Sequence, residues 1–112
     1  MFTERQNKVS RLIQKDISEI FINHGREWFG GTMVTVTVVR ISKDLSNAKI
    51  YISVFPSEKA EGTIEFLNTN ISKVRFELGN RVRHQLKKVP EIKFYLDDSL
   101  DHIDRINELL NE

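Results

Sequence analysis

Residues 33–55, MVTVTVVRISKDLSNAKIYISVF, leave this chain little choice of architecture. Val34, Val36, Val38 and Val39 are strung together with Thr35 and Thr37, and later Ala48, Ile50, Ile52 and Val54 alternate with Lys49, Tyr51 and Ser53. Runs that are β-branched and repeat every second residue predict two strands. Between them Ser42-Lys43-Asp44-Leu45-Ser46-Asn47 supplies short polar side chains that bond their own backbone, so the strands are joined locally and pair antiparallel. A two-stranded ribbon with one aliphatic face does not stand alone in water. The rest of the chain has to cover that face.

The covering elements are legible on both sides. Thr3-Glu4-Arg5-Gln6 has the spacing of a capping box, and Val9, Leu12, Ile13, Ile17, Ile20 and Phe21 then recur at threes and fours, which predicts a helix over 3–22. Lys8, Arg11 and Lys15 lie on its opposite side. Gly25 is expected to close that helix in the left-handed conformation, followed by a loop over 26–31 in which Trp28 and Phe29 cap the core. After Pro56, Thr63 is positioned to cap a short helix through Ile64, Phe66 and Leu67. Asn68-Thr69-Asn70 competes for backbone hydrogen bonds and predicts a kink. A second helix is expected over 71–89, carrying Ile71, Val74, Leu78, Val82 and Leu86 on one stripe, with Arg75 inside the stripe, where it either snorkels or pairs with a carboxylate, Asp16 being one candidate. Val89-Pro90 ends it. Ile92, Phe94 and Leu96 then alternate with Lys93, Tyr95 and Asp97 as a third strand, and Ser99 opens a last helix with Ile103, Ile106, Leu109 and Leu110.

The expected fold class is therefore α+β, a three-stranded sheet packed against helices in two layers. Val34, Val36, Val38, Ile50, Ile52, Val54, Ile92, Phe94 and Leu96 form its inner face, and Thr35, Thr37, Lys49, Tyr51, Lys93 and Tyr95 its outer face. The division is a body over 1–98 and an acidic tail over 99–112. At 112 residues the chain suffices for about one domain. It has no cysteine, which excludes disulfides and thiolate metal sites. No apolar run approaches the roughly 20 residues of a membrane span, and the start is charged and amphipathic, so a soluble cytoplasmic protein is expected.

Net charge is +1, but the sum conceals an asymmetry. Lys73, Arg75, Arg81, Arg83, Lys87, Lys88 and Lys93 face only Glu77 and Glu91, whereas Asp97, Asp98, Asp101, Asp104, Glu108 and Glu112 face only Arg105. Lys73, Arg83, His84, Lys87 and Lys88 fall opposite the apolar stripe with Phe76 among them. That pattern suits either a solvated helix back or cations on phosphates beside an aromatic able to stack on a base, and Phe76 tips the reading slightly to the second. The acidic cluster Asp97, Asp98, Asp101 and Asp104 lacks the spaced glycine and terminal glutamate of a calcium loop, and Asp97, Asp98 and Ser99 are read as the cap of the last helix.

The order αββααβ is that of the type II KH domain, a module for single-stranded RNA. Within that class the chain resembles the ribosome-binding factor A family. Ser42-Lys43-Asp44-Leu45-Ser46-Asn47-Ala48-Lys49-Ile50-Tyr51-Ile52-Ser53-Val54 is similar to the family's S-x-D-L-x-x-A-x-V-Y-V-S hairpin, and Val89-Pro90-Glu91-Ile92-Lys93-Phe94-Tyr95-Leu96-Asp97-Asp98-Ser99 to its V-P-E-L-x-F-x-x-D-x-S segment. The resemblance implies binding to the free 30S small ribosomal subunit and its 16S rRNA, help in late maturation and processing of the precursor's end, a link to cold adaptation, and no catalysis. The G-x-x-G of conventional KH domains is absent, and Asn70-Ile71-Ser72 stands where the family has an Ala-x-Gly interhelical kink. The family's Asp-Pro-Arg before the first strand is also absent.

The leading expectation is an RNA-binding assembly factor, acting as a monomer without metal, cofactor or small-molecule substrate. Its RNA-binding residues are Lys73, Phe76, Arg81, Arg83, His84, Lys87 and Lys88, with Arg40, Lys43, Lys8, Arg11 and Lys15 further out. The alternative is a protein-interaction module using the open sheet face at Tyr51 and Tyr95. An enzyme ranks third, because His24, His84 and His102 are scattered with no nucleophile in reach.

Overall fold

The computed structural model describes residues 3–97. The helix expected from Ser99 and the separate acidic tail lie outside the described residues. In chain order the elements are α1 (Glu4–Asn23), α2 (Gly25–Phe29), β1 (Met33–Ile41), β2 (Asn47–Phe55), a 3-10 turn (Ser57–Lys59), α3 (Ala60–Thr69), α4 (Ile71–Val82) and β3 (Glu91–Leu96). The sheet runs β1-β2-β3, with β1 antiparallel and β3 parallel to β2. This is the αββααβ plan of a type II KH-like domain, with α2 added.

α1 starts as its sequence predicts. Gln6 N donates to Thr3 Oγ1 at 3.1 Å and Thr3 N donates to Gln6 Oε1 at 2.9 Å, closing the capping box. The buried Gln6 also donates to the Ile41 carbonyl at 3.0 Å, fixing the helix start to the end of β1. Val9, Ile13, Ile17, Ile20 and Phe21 are buried against the sheet together with Ile50, Ile52, Leu67, Val74, Leu78, Val82 and Phe94. Gly25 does not take the left-handed conformation. It opens α2, and the positive φ falls on Gly30. The segment expected as a loop is thus one short helix, whose Trp28 and Phe29 stack edge-on against Phe21 at 6.5 and 5.1 Å and cap the core.

The first strand departs from strict alternation. A bulge between Val36 and Val38 shifts the register, so that Val36 pairs with Ile52 but Val38 pairs with Tyr51 and Arg40 with Lys49. Val39 and Ile41 enter the core in place of the expected Val38, which turns to the outer face. Thr37 takes up the extra position, its hydroxyl 3.2 Å from the Tyr51 carbonyl and 2.5 Å from Asp97 Oδ2. Leu96 is the other inner-face residue displaced. It is 44% exposed at the rim of a groove between α3 and β3.

The hairpin turn is held by one carboxylate. Asp44 accepts from Ser46 Oγ at 2.6 Å, Ser42 Oγ at 2.7 Å and Ser46 N at 3.1 Å. These bonds, led by the Ser46 hydroxyl and then the Ser42 hydroxyl, pull its pKa down to about 2. The folded value lies below the unfolded one of about 3.9, so the stabilisation is present above about pH 4 and is lost as pH falls towards about 2. Asp44→Asn should remove that part of the acid-unfolding profile, which a pH series of thermal melts will detect. An unchanged profile would contradict the assignment.

Thr63 is not a cap. The 3-10 turn brings the helix start forward to Ala60, and Thr63 sits one turn inside, donating to the Lys59 carbonyl at 2.8 Å. α4 ends at Val82, well short of the expected Val89. Geometry explains the early stop. A helix continued to Val89 would leave only Pro90 to bring the chain back and place Glu91 N on the Ser46 carbonyl at 2.8 Å. Gln85 N and Leu86 N both donate to the Val82 carbonyl and turn the chain back. Gly79 permits the return, since a Cβ there would lie 3.1 Å from Val89 Cγ2.

Candidate nucleic-acid interface

The kink is made by one residue. Asn70 N and Asn70 Nδ2 donate to the Phe66 carbonyl at 3.0 and 2.8 Å, while Lys73 N and Val74 N turn to the Asn70 carbonyl at 3.0 and 3.4 Å. The Asn70 side chain is therefore folded back onto α3, Ile71 packs against the core, and Ser72 stands exposed. Asn68, expected to help break the helix, lies inside α3 instead. It donates through Nδ2 to the Phe94 carbonyl at 3.1 Å and accepts from Phe94 N at 2.9 Å. Both outward backbone groups of Phe94 on the free edge of β3 are thereby satisfied. Asn68→Ala should cost about 1–3 kcal/mol in denaturant unfolding and speed hydrogen exchange at the Phe94 amide. Unaltered exchange there would refute the edge-capping role.

Beyond the kink, Ser72, Lys73, Phe76 and Glu77 of α4 face His24, Glu27 and Trp28 across a hollow of about 370 Å³. His24 lies flat on Trp28, with centroids 4.5 Å apart, and its ring nitrogens are 3.2 Å from Glu77 and 3.6 Å from Glu27. Phe76 is 70% exposed at this rim, beside the exposed Lys73. Arg83 and His84 are exposed in the turn after α4, and Lys87 and Lys88 in the return segment. These four were expected on a helix face. They lie instead along the connection to β3. Among the described residues, Lys73, Arg83, Lys87 and Lys88 make no ion pair.

Arg81 is placed differently. Its Nη1 donates to Glu19 Oε2 at 2.5 Å and lies 4.0 Å from Asp16 Oδ1, so it ties α4 to α1. Burial pushes the Asp16 carboxyl above its usual range, and Arg81 opposes that push. Arg81, not Arg75, is thus the partner of Asp16. Arg75 donates from Nε to the Pro90 carbonyl and from Nη2 to the Val89 carbonyl, both at 3.0 Å, and lies 3.7 Å from Glu91. Lys8, Arg11 and Lys15 are exposed along α1, Lys8 lying 4.0 Å from Glu4. Lys43 is exposed in the hairpin turn, and Arg40 is carried by the bulge onto the outer sheet face.

The outer face holds what alternation alone did not assign to an RNA site. Tyr51 and Tyr95 stack across β2 and β3 with centroids 5.4 Å apart, and Lys93 Nζ and Lys49 Nζ lie 5.4 and 6.0 Å from the Tyr95 ring centre. No group of three or more metal-ligating side chains occurs among the described residues, and none of their helices is long and apolar enough to cross a membrane.

Comparison with known proteins gives the family. The sequence profile described as Ribosome-binding factor A matches residues 5–110. The chain belongs to the ribosome-binding factor A family. The family's member from Christiangramia forsetii is 45% identical over 107 residues, covering 95% of this chain and 82% of that one. That from Flavobacterium johnsoniae is 40% identical, covering 98% and 85%. Among solved structures, the crystal structure of ribosome-binding factor A from Thermus thermophilus superposes with a TM-score of 0.68 at 22% identity, over 81% of this chain and 94% of that one. A homology model of the Thermus thermophilus factor, fitted into a cryo-electron microscopy map of its complex with the 30S subunit, gives a TM-score of 0.59 at 23% identity over 88% and 97%. These likenesses carry the shared fold of ribosome-binding factor A structures.

Proposed function

We propose that this protein is an assembly factor that binds the free small ribosomal subunit in the cytoplasm, contacts its 16S rRNA during late maturation and end processing, and does so without catalysis. The observation that carries the reading is the run of exposed cations Lys73, Arg83, Lys87 and Lys88 beyond the Asn70 kink, in a chain of the ribosome-binding factor A family. His84 and Phe76 lie in the same stretch. Lysine and arginine at phosphates release counterions, so such a flank supplies affinity without base specificity. Family kinship selects the ribosomal partner. Lys8, Arg11, Lys15 and Lys43 are outer contacts in this reading, and Arg81 is excluded because its guanidinium is engaged by Glu19. The work is done by holding one rRNA conformation and then being displaced.

The test is sedimentation of the purified protein with ribosomal particles on a sucrose gradient. Comigration with free small subunits and absence from complete ribosomes is the expected result. Equal binding to both, or to neither, would count against it.

A further inference from the structure

The β1 bulge changes the chemistry of the outer sheet face. Strict alternation would direct Arg40 towards the helices. The shifted register instead sets Arg40 opposite Lys49 and Val38 opposite Tyr51, while Lys49 and Tyr51 pair across β2 with Lys93 and Tyr95. Three exposed cations and two stacked phenol rings therefore share one surface. A hollow of about 440 Å³ opens beside the rings, lined by Val38, Arg40, Lys49, Tyr51 and Asp97. Tyr51 lines it and Tyr95 does not, so a flat group entering the hollow continues the Tyr51–Tyr95 stack on its other side. Val38 gives that group an apolar contact, and Asp97, positioned by Thr37, gives a hydrogen-bond acceptor.

We propose that this face is a second RNA contact, separate from the cationic flank, which takes an unpaired nucleotide: the base stacks in the hollow on Tyr51, and the neighbouring phosphates meet Lys49 and Lys93. The inference rests on the reading of the protein as an RNA-binding factor and adds a surface to it. Charge complementarity favours this occupant. Lys49 and Lys93 stand exposed beside the rings, and Glu91, at the start of β3, is drawn towards Arg75. Aromatic rings ringed by cations recognise single strands, because every base has a stacking face and every link carries a negative charge. A duplex keeps its bases stacked inside and cannot fill the hollow.

The test compares fluorescence anisotropy of the full chain with labelled single-stranded RNA of about ten nucleotides and with a blunt RNA duplex. Tyr51→Leu with Tyr95→Leu should weaken single-strand binding about tenfold or more and leave duplex binding unchanged. Tyr51→Phe with Tyr95→Phe should retain it, because stacking needs the ring and not the hydroxyl. Arg83→Glu with Lys87→Glu on the flank should weaken small-subunit binding yet preserve the preference for single strands, so failure at one surface is distinguishable from failure at the other. Wild-type protein provides an independent readout: ring and methyl NMR signals of Tyr51 and Val38 should shift on adding the oligonucleotide. Unshifted signals, or a folded leucine pair that binds single strands as tightly as wild type, would overturn the proposal. Loss of small-subunit binding in the leucine pair with single-strand affinity intact would also overturn it, by making the face a protein contact.

Discussion

Arg83→Glu combined with Lys87→Glu is expected to weaken binding to free small subunits by roughly 10- to 100-fold at moderate salt and to flatten the salt dependence by about two in log–log slope. Both side chains are exposed and neither makes an ion pair among the described residues, so the loss is one of RNA contacts and not of fold. Thermal unfolding should stay within about 0.5 kcal/mol of wild type. Lys73 and Lys88 remain in the double variant, so residual affinity is expected and a complete loss is not required. The paired control is Arg81→Gln, which removes a cation from the same sequence cluster but one already bound to Glu19. It should lower stability, because the buried Asp16 loses its nearest cation, while leaving the salt slope of subunit binding as it was. Equal loss of binding in Arg81→Gln and in the flank pair would mean that the ion pair opens on the ribosome.

Phe94→Ala should be the most damaging single truncation, about 3–5 kcal/mol against a total of about 5–15 kcal/mol for a domain of this class. Phe94 is 1% exposed, lies opposite Ile50 in the sheet and sits 5.9 Å from the Phe21 ring, so its loss opens a void where sheet, α1 and the aromatic cap meet. Leu96→Ala, two residues along the same strand, should cost under about 1 kcal/mol, since a residue 44% exposed leaves little cavity. Urea unfolding of the two variants checks both at once. Similar midpoints would contradict the division of β3 into a core half and a groove rim.

Local chemistry carried most of the fold into view. The capping box, the turn residues 42–47 and the helical stripes of α1 and α4 depend on neighbours a few residues apart, and the structure follows them. The bulge in β1, the end of α4 and the partner of Asp16 depart from expectation because a distant partner decides them. The bulge has a local trace, because Val39-Arg40-Ile41 alternates in the opposite phase to Val34-Thr35-Val36, but a continuous valine run conceals where the phase changes. The end of α4 is set by the distance to β3, which no residue near Val82 encodes. The exchange of Arg75 for Arg81 at Asp16 has the same origin: Arg75 is claimed by the carbonyls of the returning segment, whose path follows from that early stop. The cationic stretch was visible as composition, whereas the joining of Arg40 to the two tyrosines required the sheet register.

Equilibrium binding of the protein to purified small subunits, titrated with potassium chloride, tests the claim that exposed cations hold ribosomal phosphates. With Lys73, Arg83, Lys87 and Lys88 on phosphates, the logarithm of the affinity should fall linearly with the logarithm of salt at a slope of at least roughly three, and more steeply for each outer cation that also meets a phosphate. A slope near zero, with tight binding kept from low to moderate salt, would contradict it.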